Sequence, residues 1–165
     1  MIVVSDSSPL VILSKLGCFS LLHRLFPRVL ISAEVHHEVV IAGAGLPGSA
    51  EVEKAPWIEV RDLPSSAGWM AIQQEHGLGA GELSTILLGK DLQADAVLLD
   101  DFKARKLAKI QGLRVLGTVG ILEALYADHA LTDLRAVFQK LLDGGVYIDQ
   151  RLLNRRLRFL RLPPL

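Results

Sequence analysis

Residues Asp95–Thr118, DAVLLDDFKARKLAKIQGLRVLGT, decide the fold. Ala96–Leu99 is an apolar run without alternation, which suits a strand buried on both faces. A helical pattern follows, and Val115-Leu116 forms a second apolar run, so the segment reads as a β-α-β unit with parallel strands. Asp100 and Asp101 then stand where the first of these strands ends. In open parallel sheets ligands collect beyond the carboxyl ends of the strands, which makes this carboxylate pair a candidate site. An Asp at that place can also simply cap the following helix. One cap accounts for one Asp and leaves the second unexplained.

Working outward, Ile2–Val4 is another apolar run ending at a carboxylate, Asp6, with Pro9 placed to open a helix. Phe19–Phe26 is a short amphipathic helix stopped by Pro27, and Val29–Ile31 is a second strand. Ser32 caps the helix SAEVHHEVVIAG, whose period puts Val35, Val39 and Ala42 on one face and Glu34, His37, Glu38 and Ile41 around the other. His36 and His37 are adjacent, point apart, and read as surface residues. VVIAGAGLPG (39–48) matches a dinucleotide-binding glycine pattern. Its lead-in is helical and too few residues separate Gly48 from Trp57 for the required helix, so a loop and a short helix are expected instead. Trp57–Val60 reads as an edge strand and Leu63–Gly68 as a loop. A helix over Trp69–His76 precedes GAGELSTILLGK, in which Glu82 stands in the first turn of a long helix. The helix dipole favours an acid there. The small residues Gly79, Ala80 and Gly81 would also let that end approach a shared site.

The order of elements gives a doubly wound parallel sheet, and right-handed crossovers leave few topologies. If winding reverses after the third strand, strands one and four become neighbours and bring Asp6 and Asp100 together. Glu82 and Glu38 then lean over the same crevice. Several carboxylates at close range raise one another's pKa unless a cation intervenes. Oxygen-only clusters favour Mg²⁺ or Mn²⁺, and such a site suits phosphodiester hydrolysis. Ser8 is placed to orient a carboxylate or the attacking water.

Composition narrows the classes. The chain has 165 residues, enough for one domain with a real core, and 18 basic residues balance 18 acidic ones. A neutral chain does not attract nucleic acid as a whole, so any such binding must come from local patches. No apolar run approaches the roughly 18 residues of a membrane span, and no basic leader precedes the first apolar run, so no membrane and no signal peptide are expected. The single cysteine, Cys18, suits a reducing cytoplasm. Half of the residues are hydrophobic, which leaves apolar surface for a homodimer interface. The C-terminal pattern carries Arg151, Arg155, Arg156, Arg158 and Arg161 among leucines, most simply a solvated face on a docking helix, with contact to nucleic acid or a partner chain as the other readings.

Four segments in order, VVSDSSPLVIL, EVHHEVV, GAGELSTILL and VLLDDFKARKLAKIQGLRVLGTVGIL, resemble the PIN-domain nucleases, including the ribonuclease toxins of bacterial toxin-antitoxin pairs. The resemblance implies a PIN-like α/β three-layer sandwich, a central parallel sheet of about five strands flanked by helices. It implies one domain over 1–165 with a helical extension over about 130–165. It further implies metal-dependent hydrolysis of single-stranded RNA, an antitoxin protein as partner, and a homodimer. Carried over by position, the acidic metal ligands it implies are Asp6, Glu38, Glu82 and Asp100, with Asp101 a rival for the fourth place. Ser7-Ser8 stand where many members have Thr or Asn, and Glu82 where Asp is common. Among the basic residues after the pair, Arg105 is the one placed to turn toward a phosphate or to hold the carboxylates in a salt bridge. A PIN-like binding module whose carboxylates serve only as caps is the alternative. Phosphoryl transfer of the receiver kind would need a second acid at strand one and a lysine after a late strand, neither of which is evident.

Overall fold

A computed structural model of the chain describes residues 1–63 and 69–165. The expected loop at Leu63–Gly68 lies, beyond Leu63, outside the described residues. The elements are β1 (Val3–Ser5), α1 (Ser7–Lys15), α2 (Phe19–Leu25), β2 (Val29–Ser32), α3 (Ala33–His36) running into a π-helical turn (His37–Ala42), α4 (Ser49–Lys54) and β3 (Ile58–Arg61). Then come α5 (Trp69–His76), α6 (Ala80–Asp91), β4 (Ala96–Leu98), α7 (Phe102–Ile110), β5 (Val115–Leu116), α8 (Thr118–Ala127), α9 (Leu134–Asp143) and α10 (Gln150–Phe159). All the strands are parallel, in the order β3-β2-β1-β4-β5.

The chain winds outward from β1 to the edge strand β3, then returns to place β4 on the other side of β1. Val4 is level with Val97, and the Asp6 N–H donates to the Leu98 carbonyl at 3.0 Å. The reversal therefore sets Asp6 beside the end of β4. Period-two alternation sorts the strand residues between two cores. Val3, Val29, Ile31 and Leu98 join a cluster with residues of α1, α2, α8, α9 and α10. Val4, Leu30, Val97 and Leu99 face α6 and α7. Both faces are covered, which is why these strands read as unbroken apolar runs.

Local chemistry matches the glycine and capping residues in the sequence. Gly48 lies in the left-handed region at φ +97° and opens α4, so the glycine pattern is a turn into a six-residue helix. The Ser32 hydroxyl accepts from the Val35 N–H at 3.0 Å. Its own hydrogen goes to Ser84 Oγ at 2.6 Å, because the Ser84 hydrogen is donated to the Gly81 carbonyl at 2.9 Å. This buried relay ties the end of β2 to the first turn of α6. Ser32→Ala is expected to cost about 1–2 kcal/mol, since it removes a cap and leaves the buried Ser84 oxygen without a donor, and urea unfolding would measure it.

One helical expectation is corrected. A uniform 3.6-residue period placed Ala42 on the inner face with Val35 and Val39. The turn at His37–Ala42 widens to π geometry and buries Val39 and Val40, leaving Ala42 exposed. The wider turn holds one extra residue, so every position after it rotates out of the α register.

Candidate active site

The acidic residues gather at the carboxyl end of the sheet, where four short elements deliver them. Asp6 ends β1 and precedes α1, but its side chain makes no capping bond to that helix. It is only 2% exposed. Burial pushes its carboxyl up to about 7. The Ser7 backbone N–H opposes that rise, and the charges of Glu82 and Glu38 add to it. A helix cap would stabilise the ionised form. Asp6 is thus a buried acid in the field of two others, not a cap.

Glu38 sits in the π turn. Its Oε1 accepts from the Gly81 N–H at 3.0 Å and its Oε2 from the Ser7 hydroxyl at 2.9 Å. Ser7 has one hydroxyl hydrogen, and Asp6 Oδ1 lies farther away at 3.4 Å, so the hydrogen serves Glu38. Gly81 and Ser7 thus hold the Glu38 carboxylate over the end of the sheet, although the residue stays exposed. A Cβ at Gly81 would stand 2.6 Å from Glu38 Oε2 and 2.8 Å from Oε1, so the approach requires glycine.

Glu82 serves two purposes at once. Its Oε2 accepts from the Gly79 N–H at 2.9 Å, closing the first turn of α6. Partial burial raises its pKa, the Gly79 N–H opposes this, and the charges of Asp101 and Glu38 raise it further while Lys103 lowers it. Lys103, rather than Arg105, is the cation whose charge reaches this carboxylate.

The aspartate pair divides. Asp100 is clasped by Thr118, accepting from its N–H at 2.7 Å and its hydroxyl at 2.6 Å, which fastens the end of β4 to the start of α8. Asp101 caps α7 by accepting from the Ala104 N–H at 2.9 Å, and its charge acts on Glu82. Arg105 donates to the Leu99 carbonyl at 3.2 Å and makes no ion pair with Asp100 or Asp101. Its guanidinium occupies the space a Cβ at Gly117 would need. Ser8 is exposed on the cleft wall. Ser7 and Thr118 touch the acids directly, a role the sequence reading did not give them, although each follows a strand end as Asp6 and Asp101 do.

The donor set consists of oxygen atoms, as a hard divalent cation prefers. A buried carboxyl raised to about 7 beside other acids is also the electrostatic condition that such a cation relieves. Among the described residues, no three His, Cys, Asp or Glu side chains stand close enough together to enclose an ion as placed. Glu38, Glu82, Asp100 and Asp101 are each held by protein donors. Glu82 and Asp101 each retain one oxygen without a hydrogen-bond partner among the described residues. Glu82, Asp100, Asp101 and Arg105 line a cleft of about 1010 Å³ that runs on toward α8 and the α9–α10 connection.

A family model described as a PIN domain matches residues 2–161. No curated protein matches the chain significantly. Among solved structures, a PilT N-terminus domain protein from the hyperthermophilic archaeon Sulfolobus solfataricus P2 is similar, with 16% identity and a TM-score of 0.49 over 75% of this chain and 92% of that one. No helix among the described residues is long and apolar enough to cross a membrane.

Proposed function

Since the chain belongs to the PIN-domain family, whose members are generally nucleases that use divalent metal ions, we propose that it is a Mg²⁺- or Mn²⁺-dependent endoribonuclease acting on single-stranded RNA, and the toxin half of a toxin-antitoxin pair. The observation that carries this reading is Asp6, a buried acid whose carboxyl is held near neutrality among Glu38 and Glu82 at the end of the sheet. Asp6, Glu82 and Asp101 would hold the cation. When bound, it supplies positive charge for activating water and for stabilising the leaving oxygen.

The side chains around those three have separable tasks. Glu38 and Ser7, hydrogen-bonded to each other, brace the Asp6 side of the site. Lys103 keeps Glu82 closer to its ionised form. Ser8 faces the cleft, where its hydroxyl would orient the attacking water. Arg105 lies along the same wall as a phosphate partner. Asp100 is proposed as a positioning residue, since Thr118 occupies both its oxygens. The antitoxin would act by filling the cleft, and a homodimer would cover part of the exposed apolar set that includes Ile41, Leu46 and Val60.

A non-catalytic binding module has one observation in its favour, namely that Glu82 and Asp101 both perform capping work. Calorimetric titration of Mn²⁺ into the metal-free protein separates the two readings. The nuclease reading expects saturable binding that Asp101→Asn weakens at least tenfold and Asp100→Asn alters far less. It also expects cleavage of a fluorophore-quencher RNA that stops with EDTA. Absence of both binding and cleavage would favour the binding module. Loss of binding in Asp100→Asn alone would give Asp101's place among the three ligands to Asp100.

A further inference from the structure

Beyond the acidic residues, the cleft continues between the N-terminus of α7 and the C-terminal helices, and its lining there is unusual for a protein surface. Phe102 is 79% exposed and Tyr147 is fully exposed. Both line the cleft, from different elements: Phe102 opens α7 directly after Asp101, and Tyr147 lies on the α9–α10 connection. Neither ring is needed to fill the apolar clusters. Exposed aromatic rings on a cleft wall offer π faces on which unpaired bases stack irrespective of sequence.

The second observation is the arrangement of α10. At 100° per residue, Arg151, Arg155 and Arg158 fall within about 60° of one another, forming one exposed stripe. Leu152 and Arg156 face the cleft, next to that stripe. Leu153 and Leu157 are buried on the far side. Arg156 is committed elsewhere: it forms a two-bond pair with Glu123, at 2.6 and 2.7 Å, that docks α10 on α8. Arg151, Arg155 and Arg158 make no ion pair among the described residues. In a chain of zero net charge, this stripe concentrates positive charge on the face of α10 next to the one that meets the cleft, whose own charged lining is Glu82, Asp100, Asp101, Glu123 and Asp149 against Arg105 and Arg156.

We propose that the cleft carries a single-stranded nucleic acid, with Phe102 and Tyr147 as stacking platforms for its bases and Arg151, Arg155 and Arg158 as a rail for its phosphates. The C-terminal helices are then part of the substrate path. This rests on the nuclease reading only in placing hydrolysis at the acidic end. The alternating demands of the ligand explain the lining: flat apolar faces for bases, and cations one helix face away for the backbone.

The test is fluorescence anisotropy of the full chain with a fluorescein-labelled 12-nucleotide single strand and with a 12-base-pair duplex. EDTA is present so that affinity is read without cleavage. Phe102→Ala and Tyr147→Ala should each weaken single-strand binding about tenfold and leave duplex binding unchanged, because a paired base cannot stack on a side chain. Replacing Arg151, Arg155 and Arg158 together by Gln should reduce the slope of log affinity against log salt by about 2. These residues are exposed, so circular dichroism melts should match the parent. Absence of single-strand binding by the parent, or equal affinity in both aromatic variants, overturns the proposal and leaves a protein partner as the cleft's occupant. If binding behaves as expected but no RNA is ever cleaved with metal, the nuclease reading falls and the track stands. Cleavage with unaltered affinities gives the reverse.

Discussion

Asp6→Asn is expected to abolish cleavage and, in metal-free buffer at pH 8, to raise the melting temperature by about 5 °C or more. Loss of activity with gain of stability would identify a residue retained for chemistry. The Asp6 pKa is about 7 in the folded chain against an ordinary 3.8, so the folded state holds more protons than the unfolded state between those values. Stability contributed by this group is therefore complete below about pH 4, declines as pH rises, and is lost above about 7. The full gap corresponds to an upper bound on the order of 4 kcal/mol at 1.36 kcal/mol per unit. The neutral amide of Asn carries no such cost, and its oxygen can still accept from the Ser7 N–H. Melting curves of the two proteins should converge near pH 4 and separate above 7. Adding Mn²⁺ should raise the melting temperature of the parent and not that of the variant. A variant that melts at or below the parent at pH 8 would mean that Asp6 is stabilised as a carboxylate, contrary to the burial and like charge described above.

The architecture was legible because the central strands β1, β2 and β4 are buried on both faces. Ala96–Leu99 and Val29–Ile31 could not be solvated edges, and a carboxylate follows β1 and β4 where the apolar run stops. Chain order and handedness left few topologies, and the one supposed, with winding reversed between β3 and β4, sets Asp6 beside the end of β4 as observed. The side-chain directions were less legible. Successive residues of extended chain point to opposite sides, so the division of labour between Asp100 and Asp101 depends on the residue at which β4 gives way to α7. Leu99 still pairs with Leu116, and the turn comes after it. Periodicity cannot locate that break to one residue. Nor does the sequence of EVHHEVV reveal a π turn. No glycine or proline marks it, and the contacts that accompany it, from Gly81 and Ser7 to Glu38, are 43 and 31 residues away in the chain.

Those two contacts make Gly81 the position where the fold's local preference and the site's requirement conflict. Gly81 lies in the first turn of α6, and alanine there should favour the helix by up to about 1 kcal/mol on propensity alone. Its Cβ, however, would lie 2.6–2.8 Å from both Glu38 oxygens, well inside van der Waals contact. The backbone of α6 is fixed by the Ser32–Ser84 relay, and Glu38 is on the exposed side of its turn, so the carboxylate must yield. Gly81→Ala is therefore expected to reduce RNA cleavage about a hundredfold while shifting the melting temperature by no more than a few degrees. Displacing Glu38 releases the Ser7 hydroxyl and removes one of the charges acting on Asp6. A double-mutant cycle separates this from general damage to α6: if the effect passes through the carboxylate, Gly81→Ala should cost little in a Glu38→Ala background. Losses that simply add would mean that the glycine matters for the packing of α6 and that Glu38 acts independently of it.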